Sequence, residues 1–281
     1  MTLCEGSPQV VAVASVHESR VPCVFDTSPC NASLFCANDM NRYKASGMHL
    51  VLSVGIGLSL FWLFWFVWYP APMLIAIGGH ELFLLIVGVD AILGPLLTLV
   101  VFNTKKRSLK FDLLVVAAIQ IGALVYGVSV MLKARPVFVA ALGGHFQVVQ
   151  ATEVTDDNLK KANATLPLFG PVLVGTKAPV GRYDTDAVEL VQQIGGGRGH
   201  FPQLHVPYES MASEVLEKSK PISVLIASNP QKADEITAWL RKHDLDANTA
   251  RFQPIRIRAS EFVVFIDAET AAVAGIAPFK Q

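Results

Sequence analysis

Apolar positions along the chain follow two regimes. From residue 47 to 132 they run almost unbroken in three stretches, 47–68, 82–102 and 111–132, parted by a Pro-containing link and by the basic segment Asn103–Lys110. Each stretch is just over twenty residues, and a helix of that length crosses roughly 30 Å of hydrocarbon. Lipid offers backbone amides no hydrogen-bond partner, so helices are predicted for all three. Trp68 and Tyr69 close the first at a composition suited to a membrane–water boundary, and Pro70 and Pro72 stop it.

Beyond Arg135 the pattern breaks into short alternating or amphipathic segments, which predicts a soluble α+β domain. Residues 136–141 and 145–150 flank Leu142-Gly-Gly144 as a β-hairpin. Thr155 is a predicted N-cap for a helix over 155–164, with Asp156 and Asp157 in its first turn. Further helices are predicted over 184–194, 208–218 and 230–242, and strands over 170–175, 224–227, 254–258, 262–266 and 271–276. Alternation in Ile255-Arg-Ile-Arg258 predicts one buried and one wet face. The fold class is therefore a three-helix membrane bundle followed by a soluble α+β domain. The predicted units are a disordered extension over 1–39, upstream of a natural start at Met40, a membrane domain over 40–133, and an α+β domain over 134–281.

Charge sets the predicted orientation. Arg42 and Lys44 precede the first span, and Lys105, Lys106, Arg107 and Lys110 fill the second loop, whereas the link over 71–81 has no Lys or Arg. The positive-inside rule then puts the N-terminus and the 103–110 loop in the cytoplasm, and three crossings leave the α+β domain in the periplasm of a bacterial inner membrane. Lys133 and Arg135 oppose this assignment but are outnumbered. Of 281 residues 52% are hydrophobic and 16% charged, with zero net charge, which gives no electrostatic basis for binding nucleic acid. All four cysteines, Cys4, Cys23, Cys30 and Cys36, lie in the predicted extension at spacings that match no zinc pattern.

Candidate chemistry is sparse. Asp90 lies mid-span, where a carboxyl costs about 2.5–3.5 kcal/mol on insertion scales, so the protein or a partner is expected to use it. Turning the hairpin near Arg107 places Asp90 level with Tyr126 as a hydrogen-bond donor. It also places Gln120 level with Gly94–Leu96, where Pro95 leaves a carbonyl free. Gly88, Gly94, Gly122 and Gly127 allow close helix approach. The Gly195-Gly-Gly-Arg-Gly-His200 segment lacks the lysine and hydroxyl of a phosphate loop and reads as a mobile loop through 208. His145, His200 and His205 read as loop histidines. No catalytic residue, metal or other cofactor is predicted.

Several stretches resemble the type IV pilin accessory proteins (the TfpX/TfpZ-like group): Met40–Leu50, Phe66–Pro70, Gly88–Thr98 with its Asp90 and Gly94-Pro95, and Leu109–Leu113. Ala134–Val137, Pro202–Tyr208 and the closing 262–276 hairpin are similar as well. The resemblance starts at Met40 and implies an inner-membrane partner of the major type IV pilin that affects pilus assembly and twitching motility. It supplies no catalytic residues. The rival expectation is a membrane-anchored envelope enzyme that modifies pilin or a periplasmic glycan through the 195–209 loop.

Overall fold

Continuous apolar sequence becomes helix where it is long enough to satisfy its own backbone. In the computed structural model, which describes residues 41–104, 106–258 and 260–279, the first span is α1 (Arg42–Leu63), continued to Trp68 by a wider-wound turn. Asn41 caps α1, its side chain accepting from the Lys44 amide at 2.9 Å. A single turn, α2 (Met73–Ala76), leads through Gly78, at φ 80°, into α3 (Gly79–Val101); α4 (Leu109–Ala134) completes the set. The three long helices have the length and composition to cross a membrane. The predicted 1–39 extension, its cysteines, Met40 and Lys105 lie outside the described residues.

The middle helix, α3, packs against α1 on one side and α4 on the other. Glycines on the outer helices admit its side chains. Gly57 of α1 lies against Val87, and Gly127 of α4 against Ile86, too close in both cases for a Cβ. Of the four glycines expected to serve close approach, Gly94 and Gly127 do so, whereas Gly88 and Gly122 have open space where a side chain would be.

After α4 come β1 (Pro136–Ala141), β2 (Phe146–Gln150), α5 (Asp156–Ala162), β3 (Val172–Thr176) and α6 (Arg182–Gln193). Then follow β4 (His205–Val206), α7 (Ala212–Lys218), β5 (Lys220–Pro221), α8 (Ile222–Ser228) and α9 (Ala233–Lys242). The chain closes with β6 (Arg251–Ile257), β7 (Ser260–Ile266) and β8 (Val273–Ala277). They form one mixed sheet in the order β4-β3-β1-β2-β6-β7-β8, with β5 paired to the start of β6. Pairs β1–β3 and β2–β6 are parallel and the others antiparallel. The predicted strand over 224–227 lies instead in α8. Four apolar residues do not distinguish strand from helix, and here Ile222 and Leu225, three apart, bury one helical face behind Pro221.

Period-two alternation sends strand side chains to opposite faces of the sheet, and the two larger of its core clusters show the division. Ile255, Ile257, Val264 and Ile266 join Val139, Phe146 and Val148 against Phe64, Tyr69, Met73, Leu74, Ile77, Phe83 and Met131 from the ends of the membrane helices. Phe252, Val263 and Phe265 face the other way, onto Ile222 and Leu225 of α8 and Ile236 and Leu240 of α9. The hydroxyl of buried Tyr69 donates to the Met131 carbonyl at 2.6 Å, linking the ends of the first and third spans beneath the sheet. Helix bundle and sheet domain therefore share a hydrophobic core.

Candidate functional site

Polar side chains from all three long helices meet inside the bundle. From α4, the Gln120 amide nitrogen donates to Asp90 Oδ1 at 3.2 Å and approaches the Asp90 carbonyl at 3.5 Å. From α1, His49 Nδ1 lies 2.6 Å from the Thr98 hydroxyl, and the Ser46 hydroxyl donates to the Pro95 carbonyl at 2.8 Å. Gly94 lies at the crossing. A Cβ there would overlap the Gln120 amide nitrogen and come within 3.0 Å of His49 Nε2. The absence of a side chain at 94 thus lets α1 and α4 reach one another over α3.

Helical spacing explains the set. Ser46, His49 and the buried Ser53 fall three and four residues apart on α1, and Asp90, Gly94 and Thr98 recur every four on α3, so each series lines one face. Thr98 and Ser53 are buried, and the Gln120 Oε1 atom is buried with no hydrogen-bond partner among the described residues. Groups of this kind interact strongly where water is excluded, and one left unpaired is costly.

The structure brings Asp90, Gly94, Pro95 and Gln120 together but not Tyr126, which is 72% exposed on the bundle surface. Equal depth pairs Tyr126 with Asp90, but depth says nothing about direction around the axis. Gln120 and Tyr126, six residues apart, point about 120° apart on a helix of 3.6 residues per turn. Gln120 also reaches Asp90 itself rather than the carbonyl of Ala91 that Pro95 releases. Ser46, His49 and Thr98 escaped the sequence reading, although the Ser46-His49-Ser53 spacing in an otherwise apolar helix marks a polar stripe. Arg42, Lys44, Lys106, Arg107 and Lys110 are all exposed where α1 and α4 begin and α3 ends, and Lys106 pairs with Asp112.

The sheet domain holds a second feature, a cleft of about 980 Å³ lined by Gln147, Glu153, His200, Phe201, Arg256 and Arg258, with α6 as its apolar wall. Residues 195–208, expected as a mobile loop, are folded into short turns that bury His200, Phe201 and Leu204. Close approach to the sheet holds them: a Cβ on Gly197 would strike the Gln147 side chain, and one on Gly199 the Ala140 methyl. His200 is no solvent-facing loop histidine. Its Nε2 lies 3.6 Å from Glu153 Oε2 and its Nδ1 2.9 Å from the Gly197 carbonyl.

Burial pulls His200 down, but the Glu153 carboxylate and the Gly197 carbonyl outweigh it and hold the imidazole above its ordinary value. For Glu153, burial pushes up, yet His200 and the Gln150 amide keep the carboxyl below its ordinary range. His205 and His145 are pushed down, chiefly by burial. His205 donates from Nε2 to the Gly199 carbonyl at 2.9 Å and stands edge-on to Phe138. Among the described residues no three His, Cys, Asp or Glu side chains come together as a metal-ligand set.

Three helices long and apolar enough to cross a membrane, linked by polar contacts, are fused through a common core to a mixed-sheet domain. The chain belongs to the family of fimbrial assembly proteins. It is 30% identical over 232 residues to the fimbrial assembly protein of serogroup E1 of Dichelobacter nodosus, spanning 80% of this chain and 90% of that one. The serogroup I protein of the same organism gives the same identity and coverage. The protein of serogroups C1 and C2 is 36% identical over 121 residues, 42% of this chain and 92% of that one. No protein-family model matches the chain, and no solved structure matches it.

Proposed function

We propose that this protein is an inner-membrane accessory factor for type IV pili of the pilin accessory group. In this reading it binds the pilin subunit and governs its stability or its assembly into fibres. The observation that carries the reading is the likeness to fimbrial assembly proteins across 80% of the chain. The N-terminus lies in the cytoplasm with the basic end of the bundle, and the sheet domain lies in the periplasm, as the positive-inside rule requires.

The polar chain around Gly94 is the seat for the pilin's membrane helix. Asp90 is half-buried and not fully enclosed, and Leu93 and Leu97, on the same stripe of α3, are exposed apolar neighbours. A helix laid there would meet apolar surface interrupted by the half-buried Asp90. Such contacts contribute about 0.6–2 kcal/mol each, so a second grip by the sheet domain on the pilin head would act through effective concentration.

In a strain lacking this protein, surface pili and twitching are expected to fall, and Asp90→Asn is expected to restore them only in part. Full restoration by Asp90→Asn removes Asp90 from the mechanism. A deletion without effect on pili contradicts the reading as a whole.

The cleft beside His200 and Glu153 favours one second reading, an envelope enzyme that modifies pilin or a glycan, because a buried imidazole kept above its ordinary pKa beside a carboxylate is a usable acid–base pair. Pilin of unchanged mass in strains carrying the deletion or His200→Gln contradicts action on pilin.

A further inference from the structure

Two side-by-side attachments fasten the segment between α5 and β3 to the ends of the membrane helices. Arg135, the buried residue that follows α4, donates from one guanidinium nitrogen to the Leu132 carbonyl at 2.7 Å and from another to the Pro167 carbonyl at 2.8 Å. Three residues on, the Gly170 amide donates to the Val67 carbonyl at 2.9 Å, in the closing turn of the first span. Leu166 packs against the cluster of Val137, Val154 and neighbouring residues of the sheet domain. Between these fixed points Leu168 is 65% exposed and Phe169 75% exposed.

Level and surroundings identify what covers those two side chains. Val67 is one residue from the end of its span, so Pro167 and Gly170 are bonded at the boundary of the hydrocarbon, not out in water. Near that end the same span carries Trp62 and Phe66, both exposed and stacked 4.8 Å apart, so its outer surface stays apolar up to the turn that bonds the loop. A loop that enters an apolar medium must have its backbone polar groups satisfied, and the carbonyl before the tip and the amide after it already are. The geometry points to an interfacial anchor: we propose that Leu168 and Phe169 lie in the boundary layer of the lipid leaflet, so that the sheet domain is held against the bilayer by a contact of its own.

The test is depth measurement on the full chain in vesicles of phosphatidylethanolamine and phosphatidylglycerol. Because the four cysteines all lie in the first 36 residues, replacing them with serine and adding one cysteine gives a single site for a nitroxide. Phe169→Cys and, separately, Leu168→Cys carry the label; Ile119→Cys, on the exposed face of α4, and Lys242→Cys, at the exposed end of α9, are the lipid and water references. Collision with oxygen is expected to exceed collision with a water-soluble nickel chelate severalfold at 168 and 169, as at 119, and to fall below it at 242. Water-like behaviour at 168 and 169 with lipid-like behaviour at 119 overturns the anchor and leaves the membrane bundle standing. Water-like behaviour at 119 as well overturns both. A label at 169 that becomes shielded only when purified pilin is added assigns the loop to a protein contact and likewise overturns the lipid assignment.

Discussion

Gly94 is where three helices share one contact, and its lack of a side chain makes the polar chain possible. Gly94→Ala forces the Gln120 amide and the His49 ring aside, and overpacking of this kind costs about 1–3 kcal/mol. Gly122, on the same helix as Gln120 but facing open space, is the matched control. Gly122→Ala is expected to leave stability unchanged or raise it by up to about 1 kcal/mol. Unfolding of the detergent-solubilised variants checks the contrast, and equal losses at both positions contradict the packing described for Gly94. A second residue-scale prediction concerns pH. The raised His200 contributes stability that is fully present below about 6.5, its unfolded value, and is lost as pH rises through the folded value. The lowered Glu153 contributes stability that is present above its unfolded value and lost as pH falls through the folded one. The pair therefore stabilises most in mildly acid conditions. His145 and His205 shift the opposite way, so the readout is the difference between wild type and His200→Gln. Thermal melts are expected to show that difference shrinking between pH 6 and pH 8, and parallel profiles contradict the pairing. At this scale the sequence marked Asp90, Gly94, Pro95 and Gln120 because a polar or helix-breaking residue in an apolar run is conspicuous. It misled on Tyr126, whose direction around α4 no depth argument supplies, and on His200, whose partner Glu153 lies 47 positions away in sequence.

Whole elements were legible where local signals agreed. Thr155 caps α5 as its sequence predicts, accepting from the Asn158 amide at 3.3 Å, and Asn163 ends the helix in the left-handed region that asparagine tolerates. Asp267 turns the β7–β8 hairpin by accepting from the Glu269 and Thr270 amides. Signals failed where a short apolar run depended on tertiary burial, as in α8, or where glycines served close packing and not mobility, as at 196–199. Arg135 is the element-scale connection that no local pattern revealed. Its planar fork serves two carbonyls from different elements, and lysine has no such fork. Arg135→Lys is expected to leave the sheet intact while making residues 163–171 more susceptible to protease in reconstituted vesicles. Cleavage at the wild-type rate contradicts the role of this arginine as a fastening.

For the molecule as a whole, the sequence displayed two regimes of hydrophobicity, and the structure joins them through one core. Phe64, Met73, Leu74 and Met131 are buried against strands β1, β2 and β6, where a linker between independent domains would leave them exposed. That continuity joins the sheet domain to the bundle through packed side chains and not through a linker. Alternation along single strands predicts which side chains are buried but not which element covers them, and so the shared core could not be read from the sequence. The most direct test of the account is photocrosslinking in living cells from Leu93 and Leu97, exposed beside Asp90 and Gly94 on α3, with Val100, further exposed near the helix end, as reference. The account predicts adducts at 93 and 97 that contain the membrane helix of the major pilin and that weaken in the Gly94→Ala background. Adducts with lipid alone at both positions, in cells that assemble pili normally, would contradict it.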